Sequence, residues 1–273
     1  MSKVPAAPKG DIKTYARAPF EYDGVRHDVY RKGTGPAVIV MSEVPGISPQ
    51  LLGFADRLVA LGCSVAVPRM FGPIADMTAL SAPGRALTYL RGFSEVCISR
   101  EFNVLASGRS SPVTHWLRGL CAHEHERCGG PGVGVVGMCF TGGFALALAS
   151  DPRVLAPVVA EPSLPGAGNP GGIDCDKLTL ATVAQRCARE GLEVLGLRFK
   201  GDSLSPYQRF QTLRDKLGDG FVAVEIDPQF GHPDSPIPHP HSVLTLDFVD
   251  TPGHPTHDAL ERVLDLFRRK LLS

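Results

Sequence analysis

The sequence lacks an excess of charge of either sign. Its 28 Lys and Arg are matched by 28 Asp and Glu, for a formal net charge of +0. Nucleic-acid binders usually carry a basic excess on some segment. Neither a basic run nor an acidic tail is present, so no nucleic-acid partner is expected. No run of about 18 apolar residues occurs, which excludes a membrane-spanning helix from the expectations. Residues 1–10 hold Pro and Lys but no apolar stretch of the kind a secretory leader carries. The seven cysteines cannot all pair. An odd count without a leader fits a reducing cytoplasm and free thiols, and it asks whether one thiol has chemistry of its own. Repeats and low-complexity tracts are absent too. No composition break divides the chain, so residues 1–273 are expected to form one domain whose core needs no staples.

What is present is Gly and Pro, 30 and 24 of them, set between short apolar runs. Ala37–Met41, Ser64–Val67, Gly134–Val136, Ala156–Ala160, Val194–Leu197 and Phe221–Val224 read as buried strands. They are continuous rather than alternating, as in a parallel sheet covered on both faces. Helical patterns fall between them. Pro49–Leu61 follows Ser48 as N-cap, and Pro206–Leu217 follows Ser205 as cap with Pro206 at the first helical position. Pro112–Arg127, Gly142–Ala149 and Thr256–Leu272 complete the set. The last aligns Leu260, Val263, Leu264 and Phe267 on one face. Strands alternating with helices predict an α/β fold with a mostly parallel central sheet flanked by helices on both faces. Two segments resist the pattern. Ile74–Gly108 has mixed propensity, and Asp227–His241 holds five prolines and must be a loop.

The sharpest local feature is Gly134-Val135-Val136-Gly137-Met138-Cys139-Phe140-Thr141-Gly142-Gly143. A strand ends, a tight turn holds one nucleophilic residue, and a helix begins: the layout of a nucleophile elbow with Cys in the usual place of Ser. Small neighbours let the strained turn pack. The helix N-terminus behind Cys139 favours a thiolate and the oxyanion that follows its attack. A buried Cys at such a turn also arises from packing alone. Residue order along the chain adds weight, because an acid and then histidines follow. Asp202 lies just past the strand ending at Leu197, and His232, His239, His241, His254 and His257 come after the last strand.

At these residues the chain resembles the dienelactone hydrolase family of the α/β-hydrolase fold. The elbow Gly137–Gly143 matches the family's Gly-x-Cys-x-Gly-Gly, except that Thr141 stands where the family usually has its first Gly. Ser42-Glu43-Val44-Pro45-Gly46 matches the family's early acidic turn. The likeness covers roughly 38–71, 132–160 and 195 to the C-terminus; residues 74–130 do not align. It implies Cys139 as nucleophile, His241 as general base, Asp202 as its orienting acid, and Glu43 as a carboxylate that meets the resting thiol. The Phe140 N–H is then one oxyanion donor. Pro45 has no N–H, so Val44 N–H is the candidate for the second. His241-Ser242-Val243 resembles the family's histidine context, while Gly231-His232 lies nearer the strand and stays the alternative. The family binds an anionic lactone with arginines, for which Arg69 and Arg100 are candidates.

Cys121, His125 and Cys128 share a helix face, but their spacing fits no common closed zinc pattern, so no metal site is expected. The expected activity is hydrolysis of a small ester or lactone, dienelactone-like, through a thioester acyl-enzyme and with no cofactor. A small-molecule-binding member without catalysis and a redox thiol protein are the alternatives. The substrate's identity and the oligomeric state stay open.

Overall fold

The computed structural model describes residues 4–98, 102, 111–163 and 169–273. Its first strands are ones the apolar pattern did not signal. β1 (Ala16–Tyr22) and β2 (Val25–Lys32) form an antiparallel hairpin turning at Asp23-Gly24, both with positive φ, as a two-residue turn requires. β1 is largely exposed and carries Pro19, so it shows neither a continuous nor an alternating apolar run.

The six apolar runs become β3 (Ala37–Met41), β4 (Ser64–Arg69), β5 (Val133–Met138), β6 (Val154–Ala160), β7 (Val194–Phe199) and β8 (Phe221–Ile226). Among the described residues the strands form one eight-stranded sheet in the order β1-β2-β4-β3-β5-β6-β7-β8. β2 runs antiparallel to β4, and β3 to β8 are parallel. This is the α/β-hydrolase arrangement.

The helices are α1 (Pro49–Leu61), α2 (Ala82–Ile98), α3 (Val113–Cys128), α4 (Gly142–Leu148), α5 (Lys177–Glu190), α6 (Tyr207–Leu217) and α7 (Pro255–Leu271). Side chains alternate across the sheet, so each face gains its own core. Val38, Val40, Val136 and Val158 meet Leu51 and Leu58 of α1 and Val263 and Phe267 of α7. Ile39, Met41, Val135 and Val159 face Trp116 of α3, Phe144 of α4, Val183 of α5 and Phe210 of α6. Each such fully buried side chain is worth about 1.5–3 kcal/mol.

Helix starts follow capping chemistry with one correction. Ser48 Oγ accepts from Leu51 N–H at 3.1 Å, as the sequence predicts. At α6, however, Pro206 is itself the cap residue, with extended backbone and no side-chain bond, and the Ser205 carbonyl is taken instead by Arg198 Nη1. The mixed segment after Ile74 contains α2. This helix packs on the early loop so closely that a Cβ on Gly92 would stand 2.8 Å from Pro45 Cα. The proline-rich stretch before His241 has only a short 3-10 turn, Pro228–Phe230. Among the described residues no helix is long and apolar enough to cross a membrane.

Candidate active site

The parallel strands end along one edge, where Glu43, Cys139 and Asp202 follow β3, β5 and β7. β5 runs into a 3-10 turn, Cys139–Thr141, and then α4. Cys139 carries φ of +52°, a left-handed conformation that costs a non-glycine residue energy and marks a held turn. Its neighbours explain how the turn closes. A Cβ on Gly137 would stand 2.1 Å from the Thr141 carbonyl oxygen. Thr141, where a glycine was expected, does not loosen the elbow. Its buried Oγ1 accepts from Met138 N–H at 2.9 Å and lies 3.2 Å from the Met41 carbonyl, stapling β5 to β3.

Asp202 follows β7 through Gly201, whose φ is +75°. Its Oδ2 lies 2.6 Å from His241 Nδ1, and its Oδ1 accepts from Leu204 N–H at 2.9 Å. Burial opposes the Asp202 charge, but the His241 ring and the Leu204 and Ser205 N–H groups outweigh it, holding the carboxyl below its usual range. His241 is buried on both sides of the ring. Burial works against the imidazolium, yet the charges and hydrogen bonding of Cys139 and Asp202 win, and the ring holds its proton well above the usual value. Nε2 meets no hydrogen-bond partner of good geometry in the resting structure. Catalytic hydrogen bonds are often open in a resting site and tighten only when substrate binds.

His232 is placed elsewhere. Its Nδ1 accepts from Asp234 N–H at 3.1 Å and its Nε2 faces the Val4 carbonyl at 3.3 Å. His254 caps α7.

Glu43 is buried at the end of β3, but its bonds run to Ser242 Oγ at 2.5 Å and to Thr245 Oγ1 rather than to the thiol. Burial pushes its carboxyl up, with the two hydroxyls opposing. Val44 and Phe140, the residues whose N–H groups were singled out, follow Glu43 and Cys139 directly. The Phe140 ring packs edge-on against Phe71, Phe102 and Phe144. Arg69 ends β4, and its Nε donates to the Gly72 carbonyl at 3.1 Å. Arg100 lies outside the described residues. In α3, Cys121 is buried in the core and His125 Nε2 pairs with the Gly130 carbonyl at 3.1 Å.

Three contributors escaped the sequence reading. Asp247 Oδ2 accepts from the N–H groups of both His241 and Ser242, at 2.8 and 2.9 Å, and so fixes the backbone that carries the ring. Tyr89 of α2 is half-buried against the core cluster that Cys139 also meets, and burial and the charges of Glu43, Cys139 and Asp247 push its phenol up. Glu161 follows β6 with φ of +35° and is fully buried. A signal for Glu161 was present: a lone carboxylate ends a continuous apolar run, as Glu43 does.

The family model described as "Dienelactone hydrolase family" matches residues 27–170, just over half of the chain. No curated protein matches. Among solved structures, a protein of Klebsiella pneumoniae subsp. pneumoniae described as a dienelactone hydrolase is 17% identical, with a TM-score of 0.61 over 93% of this chain and 98% of that one. A dienelactone hydrolase-like promiscuous phosphotriesterase from metagenomic libraries is 17% identical, with a TM-score of 0.56 over 94% and 98%. A cold-adapted esterase from an Arctic intertidal metagenomic library is 16% identical, with a TM-score of 0.54 over 99% and 100%. At these identities the structures share the fold.

Proposed function

The chain belongs to the dienelactone hydrolase family, and we propose that it hydrolyses a small ester or lactone through a Cys139–His241–Asp202 triad. The observation that carries this reading is His241 itself. Its Nδ1 is held by Asp202 at 2.6 Å, and the charge of Cys139, which directly follows β5, helps the ring keep its proton.

His241 takes the thiol proton and Cys139 Sγ attacks the substrate carbonyl carbon. Asp202 holds the ring's orientation and stabilises the imidazolium. The oxyanion is received by Phe140 N–H and Val44 N–H. As the tetrahedral intermediate collapses, the carbon–oxygen bond to the alcohol breaks. The alkoxide takes the proton from His241, leaving a thioester on Cys139. Water then gives a proton to His241, attacks the thioester, and releases the acid while the thiol regains its proton. These steps call for no cofactor. Arg69 is the described cation assigned to an acyl carboxylate, as in the hydrolysis of 4-carboxymethylenebutenolide, the family's type substrate. An odd count of seven cysteines supports a reading in which the protein works in a reducing compartment such as the cytoplasm.

The test is Cys139→Ala assayed with p-nitrophenyl acetate and with 4-carboxymethylenebutenolide. Loss of turnover with an unchanged circular dichroism spectrum, together with an acyl adduct on Cys139 in the parent protein by mass spectrometry, is expected. Unchanged turnover in the variant overturns the mechanism.

A further inference from the structure

Cys139 directly follows β5, and β3 and β6 are that strand's two neighbours in the sheet. Met41 of β3 is in register with Gly137, and Ala160 of β6 with Met138. Carrying the first register two residues onward and the second one residue onward sets Glu43 on one side of Cys139 and Glu161 on the other. Both carboxyls are buried. Both also meet the segment that carries the histidine: Ser242 and Thr245 donate to Glu43, and Val243 N–H donates to Glu161 Oε2 at 3.4 Å. Behind Glu161, its own N–H donates to the Leu197 carbonyl, and Ser163 N–H donates to the Cys139 carbonyl. The nucleophile's backbone and the Glu161 turn are thus tied together.

The two carboxyls are not equally provided for. Glu43 has two hydroxyl donors. Glu161 has one long N–H contact, and among the described residues its Oε1 has no hydrogen-bond partner and no Lys or Arg pairs with it. Arg209, which bonds the adjoining Pro162, is spent on the carbonyls of Pro162, Gly172 and Leu204. A buried carboxylate with so few donors is costly, and a second negative charge beside Glu43 compounds the cost.

We propose that Glu161 is a further residue of this site, a positioning carboxyl paired with Glu43 across Cys139, which works as the neutral acid while Glu43 is the member equipped to carry charge. In the neutral form it keeps a further negative charge away from the thiolate and from the oxyanion that grows on attack. Once ionised, it repels both, so it sets the upper pH limit of the reaction. The groups facing it agree with this assignment. Burial raises the Glu161 carboxyl well above its usual range, Glu43 and Cys139 raise it further, and His241 alone among the facing charges pulls it down. The idea rests on Cys139 being the nucleophile of an ester hydrolase only for its kinetic consequence.

The experiment has two arms, the first of which needs no turnover. With glutamate carboxyls labelled with ¹³C, the wild-type protein is titrated by NMR. One glutamate carboxyl is expected to stay protonated well above the usual glutamate range, and to be missing in Glu161→Gln. Should that variant fail to fold, Ser242→Ala sorts the pair, because removing a donor from Glu43 moves the Glu43 resonance and leaves the Glu161 resonance in place. All glutamate carboxyls ionising in the ordinary range overturns the proposal.

The second arm compares kcat/KM across pH for p-nitrophenyl acetate. Glu161→Gln is expected to extend the alkaline plateau by about one pH unit, or about tenfold in rate at the alkaline end. Superimposable profiles overturn the proposal. Absence of any ester turnover with a high-titrating Glu161 in the first arm strikes the hydrolase reading and supports the neutral carboxyl.

Discussion

Asp202 Oδ2 and His241 Nδ1 stand 2.6 Å apart with both side chains almost wholly buried, and no other carboxylate oxygen bonds that nitrogen among the described residues. The pair therefore depends on a single short bond. Asp202→Asn keeps the shape and removes the charge that holds the imidazolium. A fall in kcat on the order of 10³–10⁴ is expected, with KM nearly unchanged, by analogy with the same change in serine-protease triads. A loss smaller than about tenfold in steady-state assays contradicts the orienting role.

The two histidines separate cleanly. His241→Ala is expected to abolish ester turnover. His232→Ala removes only a ring bonded to backbone groups of Val4 and Asp234 and is expected to stay within about threefold of the parent. The reverse ranking, measured on matched folded samples, removes His241 from the mechanism.

Stability should depend on pH through the same pair. His241 has a folded value raised above its usual 6.5, so its contribution is complete below 6.5 and is lost as pH climbs through the raised value. Asp202 has a folded value below its usual 3.8, so its contribution is complete above 3.8 and is lost as pH falls through the lowered one. Urea denaturation of wild type and Asp202→Asn across this range should show both flanks shallower in the variant. Parallel curves refute the linkage.

Asp247 offers a test of positioning. Asp247→Ala frees the N–H groups of His241 and Ser242, and kcat should drop by about tenfold or more with little change in KM. Asp247→Asn can still accept both N–H bonds and should restore most of the loss. Equal impairment by the two substitutions points to the carboxylate's charge instead.

Thr141 staples the elbow, and its hydroxyl is the part that matters. Thr141→Val leaves Met138 N–H without its partner and is expected to cost about 1–3 kcal/mol of stability, while Thr141→Ser costs less. Denaturant midpoints of the two variants decide between them.

The sequence revealed the elements whose burial is written into composition. Runs such as Val38-Ile39-Val40 are apolar throughout because both sheet faces are covered, so they read as strands without structural help. β1 and β2 escaped because their exposed positions carry charge and their pairing is antiparallel at the sheet's margin. α5 escaped because its moment is amphipathic but its surface is polar, with Val183, Arg186 and Cys187 as its buried residues. In the site, Cys139, Asp202 and His241 were legible from local motif and order. Glu161 and Asp247 act through contacts across strands and loops, namely Val243 N–H to one and His241 N–H to the other, and no single-sequence pattern encodes such pairings.

The anchoring of His241 from its C-terminal side has an engineering consequence. Asp247 fixes the ring's backbone from downstream, and its carbonyl also accepts from His232 N–H at 3.1 Å, so the proline-rich stretch upstream is tied to the same residue. A foreign loop spliced in there keeps the ring aligned only if it retains His232 and Ser235, the two residues that reach Asp247.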